Sequence, residues 1–316
     1  MGLDPLVLDL DGDGVELTRE DSSKVYFEFD TDGFGERCGW VKGDDALLAR
    51  DLNSNGKIDN AGELFGNATT SGFTLLRTLD SNVDNQITAA DAGFSTLRLW
   101  RDLNQNGVTD AGELLTLAAS GISKISLATR AADPAVVAGN PITAVSDFTR
   151  ADGTTGKVAE AQLLVNDLAT KYLGNTTVSA AAAALPQLKG YGRLPDLRVA
   201  MTSNATLLTQ VTAFKALTIA TPATLLTSAE QILYTWAGVS AVTPVAMGAS
   251  FDTRKLAFLE MFNGREMAPR VSGQPTTVNV TQLIDDWNNA LRMTAAENAA
   301  VNDNLPPQYL TRRRAA

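Results

Sequence analysis

Hydrophobic residues follow two different patterns along the chain. In the first half they form short runs, such as Leu6–Leu10, Val25–Phe29 and Ile122–Leu127, between stretches rich in Gly, Asn and Asp. Apolar runs of this length, bounded by turn residues, predict β-strands. The residues that follow the polar loops predict short helices, which begin near Gly62, Gly72, Ala89 and Ala111.

The pattern changes near Asn175. Four segments then carry apolar residues at helical spacing, namely 195–217, 228–239, 252–264 and 281–293. Ser228 and Asp252 are suitable N-cap residues, and Gly264 is a suitable helix stop. We therefore predict an α+β fold. It comprises a module of short strands and EF-hand-like loops over residues 1–175, a linker over 176–188, a mainly α-helical domain over 189–305 and a disordered basic tail over 306–316.

Two residue types that support common enzyme chemistry are scarce. The chain has no histidine and a single cysteine, Cys38. These counts exclude Ser-His-Asp and Cys-His catalysis, histidine-ligated zinc and an internal disulfide. We expect Cys38 to be a small, partly buried residue. No apolar run approaches the roughly 18 residues of a bilayer-spanning helix, so no transmembrane segment is predicted.

Negative charge is concentrated in the first 116 residues. They contain 22 acidic and 9 basic side chains, net −13, whereas residues 117–316 contain 14 and 17, net +3. A local excess of carboxylates favours a cation site, and it disfavours nucleic acid as a partner.

A polar loop recurs three times in this acidic region, at 51–64, 80–91 and 102–114. Each copy places oxygen-bearing side chains at alternate positions, followed by a turn and a late carboxylate. Calcium takes about six to eight oxygen ligands, and a twelve-residue loop supplies them from positions 1, 3, 5, 7, 9 and 12. In the two regular copies the predicted ligands are Asp80, Asn82, Asp84, the Gln86 carbonyl and Asp91, and then Asp102, Asn104, Asn106, the Val108 carbonyl, Asp110 and Glu113.

Of the three remaining segments, residues 9–20 match in full and the other two match less closely. In residues 51–63 the last carboxylate, Glu63, is the thirteenth residue, and residues 29–36 offer two well-placed carboxylates while Phe34 contributes only its carbonyl. Residues 9–20 match at the right offsets. The predicted ligands of these three segments are Asp51, Asn53, Asn55, the Lys57 carbonyl, Asp59 and Glu63; Asp30 and Asp32; and Asp9, Asp11, Asp13, the Val15 carbonyl and Glu20.

Clusters of Asp, Asn and Gly also form ordinary surface turns. Three well-spaced loops and two near misses make that explanation insufficient here. Clustered carboxylates would also repel one another without a cation. We predict several bound Ca²⁺ ions, about three to five. Magnesium is disfavoured because it prefers a tighter octahedral site with retained water.

The Asp4–Pro5 bond immediately precedes the first acidic segment. An aspartyl carboxyl group can attack its own main-chain carbonyl, close a five-membered anhydride and expel the nitrogen of the next residue. A following proline assists, because its tertiary amide has a weakened trans preference and its nitrogen lacks an N–H. The expelled nitrogen needs a proton, so a protonated Asp4 or a nearby acid is required. We do not expect Asp4 to ligate calcium, since a direct contact would hold it ionised.

By composition alone Asp4–Pro5 is an ordinary dipeptide. A second one, Asp133–Pro134, is interpreted as part of a flexible loop.

Five segments of the sequence resemble the self-processing module of iron-regulated RTX proteins of the FrpC type. They are DPLVLDLDGDGVEL, FDTDGFGERCGWV, DDALLARDLNSNGKIDNAGELFG, LRLWRDLNQNGVTDAGEL and ADGTTGKVAEAQLL. The resemblance covers roughly residues 4–175. The resemblance implies type I export to a secreted or cell-surface location and calcium-dependent cleavage of an Asp-Pro bond. It makes Asp4 the acyl donor and nucleophile, and Pro5 the new N-terminus. It also implies transfer of the aspartyl carbonyl to a lysine amine of an acceptor protein. The glycine-rich nonapeptide repeats of RTX proteins are absent from this sequence.

The second half resembles segments that lie downstream of such modules in large RTX exoproteins. That resemblance implies no particular activity. Its large apolar side chains, Trp236, Phe258, Met261 and Phe262, are predicted to pack between helices rather than to form a surface that faces a partner or a membrane.

Two other functions stay open. One is a non-enzymatic, calcium-stiffened spacer or adhesion module of a secreted protein, in which Asp4–Pro5 is incidental. The other is a conventional hydrolase that uses paired carboxylates in a cleft. No lysine is singled out as an acceptor, and each is interpreted as a surface charge, including Lys24, Lys42 and Lys57.

Overall fold

The computed structural model describes residues 3–67, 69–217, 221–248, 251–264, 266–267, 270–271 and 274–275. These residues form eighteen β-strands and six α-helices. The chain divides into two compact units, Met1–Leu173 and Gly174–Ala316.

The first unit is built around one large antiparallel sheet that curls into a half-barrel. The elements of the unit are β1 (Leu6–Leu8), β2 (Leu17–Thr18), β3 (Tyr26–Glu28), β4 (Phe34–Cys38), β5 (Trp40–Val41), β6 (Ala46–Ala49), α1 (Gly72–Arg77), β7 (Gln86–Thr88), β8 (Arg98–Trp100), β9 (Leu114–Thr116), β10 (Ile122–Ser126), β11 (Val136–Val137), β12 (Asn140–Arg150), β13 (Thr155–Ala161) and β14 (Val165–Tyr172). The large sheet has the order β7-β10-β12-β13-β1-β6-β8-β9, and β11 pairs with β12. Smaller sheets have the orders β14-β4-β3 and β2-β5.

Strand β1 lies between β13 and β6, and its side chains alternate between two apolar cores. Leu6 and Leu8 belong to one core, and Val7 belongs to the other together with Trp40 and Trp100. All five side chains are fully buried. Because successive residues of a strand face opposite sides, β1 joins both cores and fixes the position of the Asp4–Pro5 bond that precedes it.

The second unit packs its helices around a separate apolar core. Its elements are α2 (Ala180–Ala183), α3 (Leu197–Ser203), α4 (Ala205–Lys215), α5 (Pro222–Trp236), β15 (Ala246–Gly248), β16 (Phe251–Asp252), α6 (Thr253–Asn263), β17 (Arg270–Val271) and β18 (Gln274–Pro275). Trp236, Phe258 and Phe262 are buried in this core and Met261 packs against it, which confirms their predicted packing role.

The predicted helix boundaries of the second unit are partly confirmed. The Asp252 carboxylate caps α6 by accepting hydrogen bonds from the Arg254 and Lys255 N–H groups at 2.8 and 3.0 Å, and Gly264 ends the helix with φ 73°. Ser228 lies inside α5, because that helix begins earlier, with Thr221 as its N-cap and a proline at its first position. Helix α2 lies inside the segment predicted as a linker.

The helix predicted over 281–293 and the basic tail over 306–316 lie outside the described residues. Within the described part of the chain, every helix falls short of the length and apolar character needed to cross a membrane.

The predicted fold class is wrong. The described residues are mainly β, organised by a curled antiparallel sheet, and are not an α+β module followed by a mainly helical domain. The helices predicted near Ala89 and Ala111 are turns, and Gly62 lies in a short 3-10 helix, Ala61–Glu63. The α-helix predicted near Gly72 is present as α1. The chain joins the large sheet within or directly after the polar loops, at β7 and β9, so β-pairing satisfies backbone groups that a helix would otherwise satisfy.

Candidate functional site

The polar loops at 51–63, 80–91 and 102–113 share one hydrogen-bond pattern. The first carboxylate of each accepts backbone N–H bonds from the fifth and sixth residues, at 2.7–3.2 Å. The last carboxylate accepts N–H bonds from the second and ninth residues, at 2.8–2.9 Å. These bonds bend each loop around its own carboxylates.

The backbone of these loops explains their choice of turn residues. The fourth residue of each has a left-handed backbone, with φ 61° at Ser54, 57° at Val83 and 54° at Gln105. The sixth residue is also left-handed, and it is Gly56, Asn85 or Gly107. Glycine and asparagine adopt this conformation at least cost, so the predicted sharp turn at the sixth position is confirmed.

The loop at 102–113 brings its predicted side chains together. Asp102 and Glu113 are buried, and Asp102 Oδ2 also accepts a hydrogen bond from the Trp40 indole at 2.8 Å. The amides of Asn104 and Asn106 both donate to Asp110, at 2.8 and 2.9 Å. Burial raises the pKa of Asp102, against the opposing effect of its hydrogen bonds. A cation at this place would offset that desolvation.

The extra residue of the loop at 51–63 is absorbed by the 3-10 helix Ala61–Glu63. Glu63 consequently binds the Leu52 and Asp59 N–H groups, at 2.9 and 2.8 Å, just as Glu113 binds the equivalent groups of its own loop. The two loops also contact each other, because the N–H of Ile58 donates to the Thr109 hydroxyl at 2.9 Å. Each is the eighth residue of its loop, so the two loops lie paired.

The segment at 9–20 recruits a carboxylate from elsewhere in the chain. Glu20 forms an ion pair with Arg37 at 2.9 Å and does not reach the loop. Asp45 takes its place by accepting N–H bonds from Leu10 and Glu16, at 3.3 and 2.8 Å. The carboxylates of Asp9, Asp11 and Asp45 offer ligand oxygens within 4.8 Å of one another. Asp13 and the Val15 carbonyl remain on the same loop, and burial raises the pKa of Asp45 to about 7.

The segment at 29–36 follows the shared pattern when it is counted from Glu28. Glu28 accepts the N–H groups of Asp32 and Gly33 at 3.2 and 2.8 Å, as a first carboxylate does. Oxygens of Glu28, Asp30 and Asp32 lie within 4.8 Å of one another. Counted in this way, Glu36 is the ninth residue of the loop.

The environment of Glu36 indicates whether this cluster of carboxylates suits a cation. Its side chain is buried, and its Oε2 atom has no hydrogen-bond partner among the described residues. Burial, together with Asp30, Asp32 and Glu28, raises the pKa of Glu36 to about 8. Hard carboxylate oxygens that converge on one point are the donors that calcium takes, so the residues fit a calcium ion. Such an ion would be held by Glu28, Asp30 and Asp32, and it would offset the unfavourable burial of the neighbouring Glu36 charge.

The sheet register places two side chains beside Asp4. Leu6 on β1 is opposite Glu160 on β13, and Leu3 is bridged to Leu163. Asp4 is therefore opposite Gln162, whose side chain is a hydrogen-bond partner of its carboxyl group. Burial raises the pKa of Asp4, and Gln162 opposes that shift. Asp4 Oδ1 is buried and has no hydrogen-bond partner among the described residues.

The Asp4 carbonyl is enclosed by backbone from a neighbouring loop. A Cβ atom on Gly66 would lie 2.6 Å from the Asp4 carbonyl carbon and would overlap its oxygen, and one on Gly72 would lie 2.8 Å from that oxygen. Only glycine fits this closely at both positions. A cavity of about 280 Å³ adjoins the same region, with Leu3, Gly66 and Asp30 in its wall.

The second Asp-Pro bond has a different environment. Asp133 and Pro134 are exposed in the turn that precedes β11, and their peptide bond is cis. Asp4 is half-buried and Pro5 is buried. The fold therefore distinguishes two dipeptides of identical composition.

Cys38 is completely buried, more than we predicted, and burial raises the pKa of its thiol. It is suited to packing and not to nucleophilic chemistry.

Sequence reasoning missed five carboxylate or amide side chains of these sites, namely Glu28, Glu36, Asp45, Glu160 and Gln162. The spacing of Glu28, Asp30, Asp32 and Gly33 contains the signal for the displaced loop, because it repeats positions 1, 3, 5 and 6 of the other loops. The other missed residues lie far along the chain from the segments they join, and local spacing carries no signal for them; they are Asp45, Glu160 and Gln162.

A curled antiparallel sheet that carries paired acidic loops defines an acidic β-module. Residues 6–164 match the SPM domain family, and the chain belongs to that family. The iron-regulated protein FrpA of Neisseria meningitidis serogroup C is 40% identical to it over 222 residues, which is 67% of this chain and 20% of FrpA. The chain therefore spans about a fifth of the length of that relative. The relationship to iron-regulated proteins of the FrpA and FrpC type is confirmed.

Proposed function

We propose that this module binds calcium and cleaves its own Asp4–Pro5 bond, after which the Asp4 carbonyl passes to water or to a lysine amine. The observation that carries this proposal is the half-buried Asp4 carboxyl, whose Oδ1 atom has no hydrogen-bond partner among the described residues, at the start of the central strand. A carboxylate oxygen without a partner is free to attack the carbonyl carbon of its own residue.

The neighbouring residues hold the reacting groups of Asp4. Leu163 N–H donates to the Leu3 carbonyl at 2.9 Å and Ala161 N–H donates to the Pro5 carbonyl at 3.0 Å, so the backbone is fixed on both sides of the bond. The Asp4 carbonyl is held against Gly66 and Gly72. Positioning of this kind supplies roughly 7–11 kcal/mol of barrier lowering in intramolecular reactions.

The position of the acidic loops links calcium to this site. Asp9 directly follows β1 and Asp45 directly precedes β6, the strand that pairs with β1. A calcium ion bound by Asp9, Asp11 and Asp45 would neutralise their mutual repulsion and stabilise the pairing of these strands. The chain's own contribution is to keep β1 between β6 and β13, and thereby to keep Asp4 opposite Gln162.

The cavity beside Leu3 and Gly66 offers an acceptor amine an approach to this region. The similarity to FrpA supports an exported, RTX-type parent protein, secreted or at the cell surface.

The test compares purified protein with and without calcium by intact mass. We expect calcium to cause loss of Met1–Asp4, together with higher-mass conjugates where a lysine attacks. The Asp4→Ala variant should keep its full mass, whereas Asp133→Ala, which alters the exposed Asp-Pro bond, should be cleaved like the unmodified protein. A calcium-stiffened spacer would fold more tightly with no change in mass in any of the three, and that result would refute the proposal.

The calcium requirement should depend on pH. Because the pKa of Glu36 is raised in the calcium-free fold, the protonated side chain stabilises that fold at low pH relative to the unfolded chain. This stabilisation is lost as the pH rises from about 4.5 through about 8. A calcium ion beside Glu36 favours its ionised form, so the calcium-bound fold does not lose this stability. We expect the stabilisation by calcium, measured as the difference in the free energy of unfolding between calcium and chelator, to grow by up to about 1.4 kcal/mol per pH unit between about pH 6 and pH 8.

This dependence is measured by urea denaturation in calcium and in chelator at several pH values, followed by circular dichroism. Glu36→Gln should weaken the dependence, whereas Glu20→Gln, whose carboxylate pairs with Arg37, should retain it. An identical pH dependence in Glu36→Gln would show that Glu36 is not the group whose titration produces it.

A further inference from the structure

Glu160 is a buried carboxylic acid that belongs to none of the acidic loops. It is 3% exposed, and it is opposite Leu6 on β1 and Ala144 on β12. In an antiparallel pair, a residue and the diagonal neighbour two positions away on the facing strand share one face and remain within reach. Asp4 is two residues before Leu6, so Glu160 is its diagonal neighbour.

The charged group that raises the pKa of Glu160 is Asp4, which lies on the β1 side. From α1 the Ser71 hydroxyl and the N–H groups of Gly72 and Phe73 form hydrogen bonds to the Glu160 carboxyl, and from β12 the paired residue is an uncharged alanine. Burial is the main cause that raises the pKa of Glu160, and repulsion by Asp4 adds to it.

Glu160 and the Asp4 carbonyl meet at the same glycine. The Gly72 N–H is a hydrogen-bond donor to Glu160, and the position of a Cβ atom on Gly72 lies 2.8 Å from the Asp4 carbonyl oxygen. The acid is therefore located beside the bond that breaks, and the strand register and α1 both hold it there.

We propose that Glu160 holds the proton that the Pro5 nitrogen takes up when its bond to Asp4 breaks. This inference rests on the proposed function, because it assigns a residue to the cleavage step. Asp4 and Glu160 form a pair of neighbouring carboxyl groups, and two such groups in a poorly solvated place share one proton. Asp4 is the ionised member and Glu160 is the protonated member.

The proton and electron balance of the step is as follows. An ionised Asp4 oxygen forms a bond to the Asp4 carbonyl carbon, and the bond from that carbon to the Pro5 nitrogen breaks. The nitrogen keeps the electron pair and receives the proton of Glu160, directly or through one water molecule. The products are a cyclic aspartyl anhydride, an N-terminal proline amine and an ionised Glu160. Water or a lysine amine then opens the anhydride.

The experiment measures the first-order rate of Pro5 release at saturating calcium as a function of pH. In the unmodified protein the rate should fall about tenfold for each pH unit above the pKa of Glu160, because the acid loses its proton. Calcium binding cannot produce this limb, since calcium competes with protons and binds better at higher pH. Glu160→Gln keeps the shape of the side chain but removes the proton, and we expect a loss of about 100-fold in rate with no alkaline limb.

Two controls separate proton donation from packing. Glu160→Asp keeps an acid and should retain the alkaline limb at a reduced rate. Asp147→Asn removes a half-exposed carboxylate from the neighbouring strand β12 and should behave like the unmodified protein. Circular dichroism and the calcium-binding curve confirm that each variant is folded.

The outcomes separate this inference from the proposed function. Absence of cleavage in the unmodified protein at every pH would overturn the proposed function itself. Cleavage with a folded Glu160→Gln variant at the unmodified rate would overturn the role of Glu160 and leave self-cleavage intact. If Glu160→Gln does not fold, the unmodified protein decides, because a rate that stays flat at alkaline pH excludes a carboxylic acid as the proton donor.

Discussion

Removal of calcium is expected to lower the free energy of unfolding of the first unit by about 4 kcal/mol for each filled loop, at free calcium near a thousand times the dissociation constant. Three loops share the complete hydrogen-bond pattern, so their combined effect is about 12 kcal/mol by the same relation. This equals the whole stability of a typical domain, about 5–15 kcal/mol. We therefore expect the first unit to unfold in the presence of a chelator.

The physical reason is the arrangement of charge in these loops. Asp102 and Glu113 are buried, as are Asp91 and Glu63. Hydrogen bonds from N–H and O–H groups of the protein replace the water that these carboxylates lose on burial. Several ionised carboxylates held this closely repel one another, and a cation removes that repulsion. Folding and calcium binding are consequently linked.

The measurement is urea denaturation with calcium and with a chelator, followed by near-ultraviolet circular dichroism for tertiary packing and by far-ultraviolet circular dichroism for helix content. Magnesium at equal ionic strength is the control for simple screening of charge. All the acidic loops lie in the first unit, so the helical signal of the second unit should survive chelation. Equal unfolding midpoints in calcium and in chelator would show that the loops are ordinary turns.

The repeated loops were predictable because their functional residues are contiguous. Asp102, Asn104, Asn106, Asp110 and Glu113 come from one short stretch, and the backbone that bends around them also comes from that stretch. The register of such a loop is encoded by its turn residues. The one misplaced loop shows the same rule, since its left-handed residues Thr31 and Gly33 mark Glu28 as the first position.

The residues contributed by other strands could not be predicted in this way. Asp45 reaches the first acidic loop because β6 pairs with β1, and Glu160 reaches Asp4 because β13 pairs with β1 on its other side. Neither pairing is implied by local spacing. A sheet register is a property of the whole fold, and a shift by one residue would turn each side chain to the opposite face.

The fold class was misjudged for a related reason. The EF-hand-like spacing of the loops suggested that helices would follow them, whereas the chain after Glu113 forms β9, which pairs with β8. Short apolar runs fit a strand or a buried helix equally well until their partners are known. Tertiary pairing decided the outcome here.

Gly66→Ala is expected to abolish cleavage while leaving the acidic loops able to bind calcium. The added Cβ atom would overlap the Asp4 carbonyl oxygen and lie 2.6 Å from its carbon, so the Asp4 carbonyl must move. A displacement of about 1 Å between reacting groups reduces rates by about 100-fold. Gly66 is buried with φ 114°, so the alanine would also cost about 1–2 kcal/mol of backbone strain.

Gly153→Ala separates the two effects of that substitution. Gly153 has a similar backbone, φ 87°, but nothing lies within 4 Å of the position of its Cβ atom. It should therefore show the backbone cost alone, about 1–2 kcal/mol in urea denaturation, with an unchanged rate of Pro5 release. In the presence of calcium and without urea, where both variants are folded, Gly66→Ala should lose cleavage. If both variants cleave at the same rate, the contact between Gly66 and the Asp4 carbonyl does not position the bond, because only the Gly66 substitution disturbs that carbonyl.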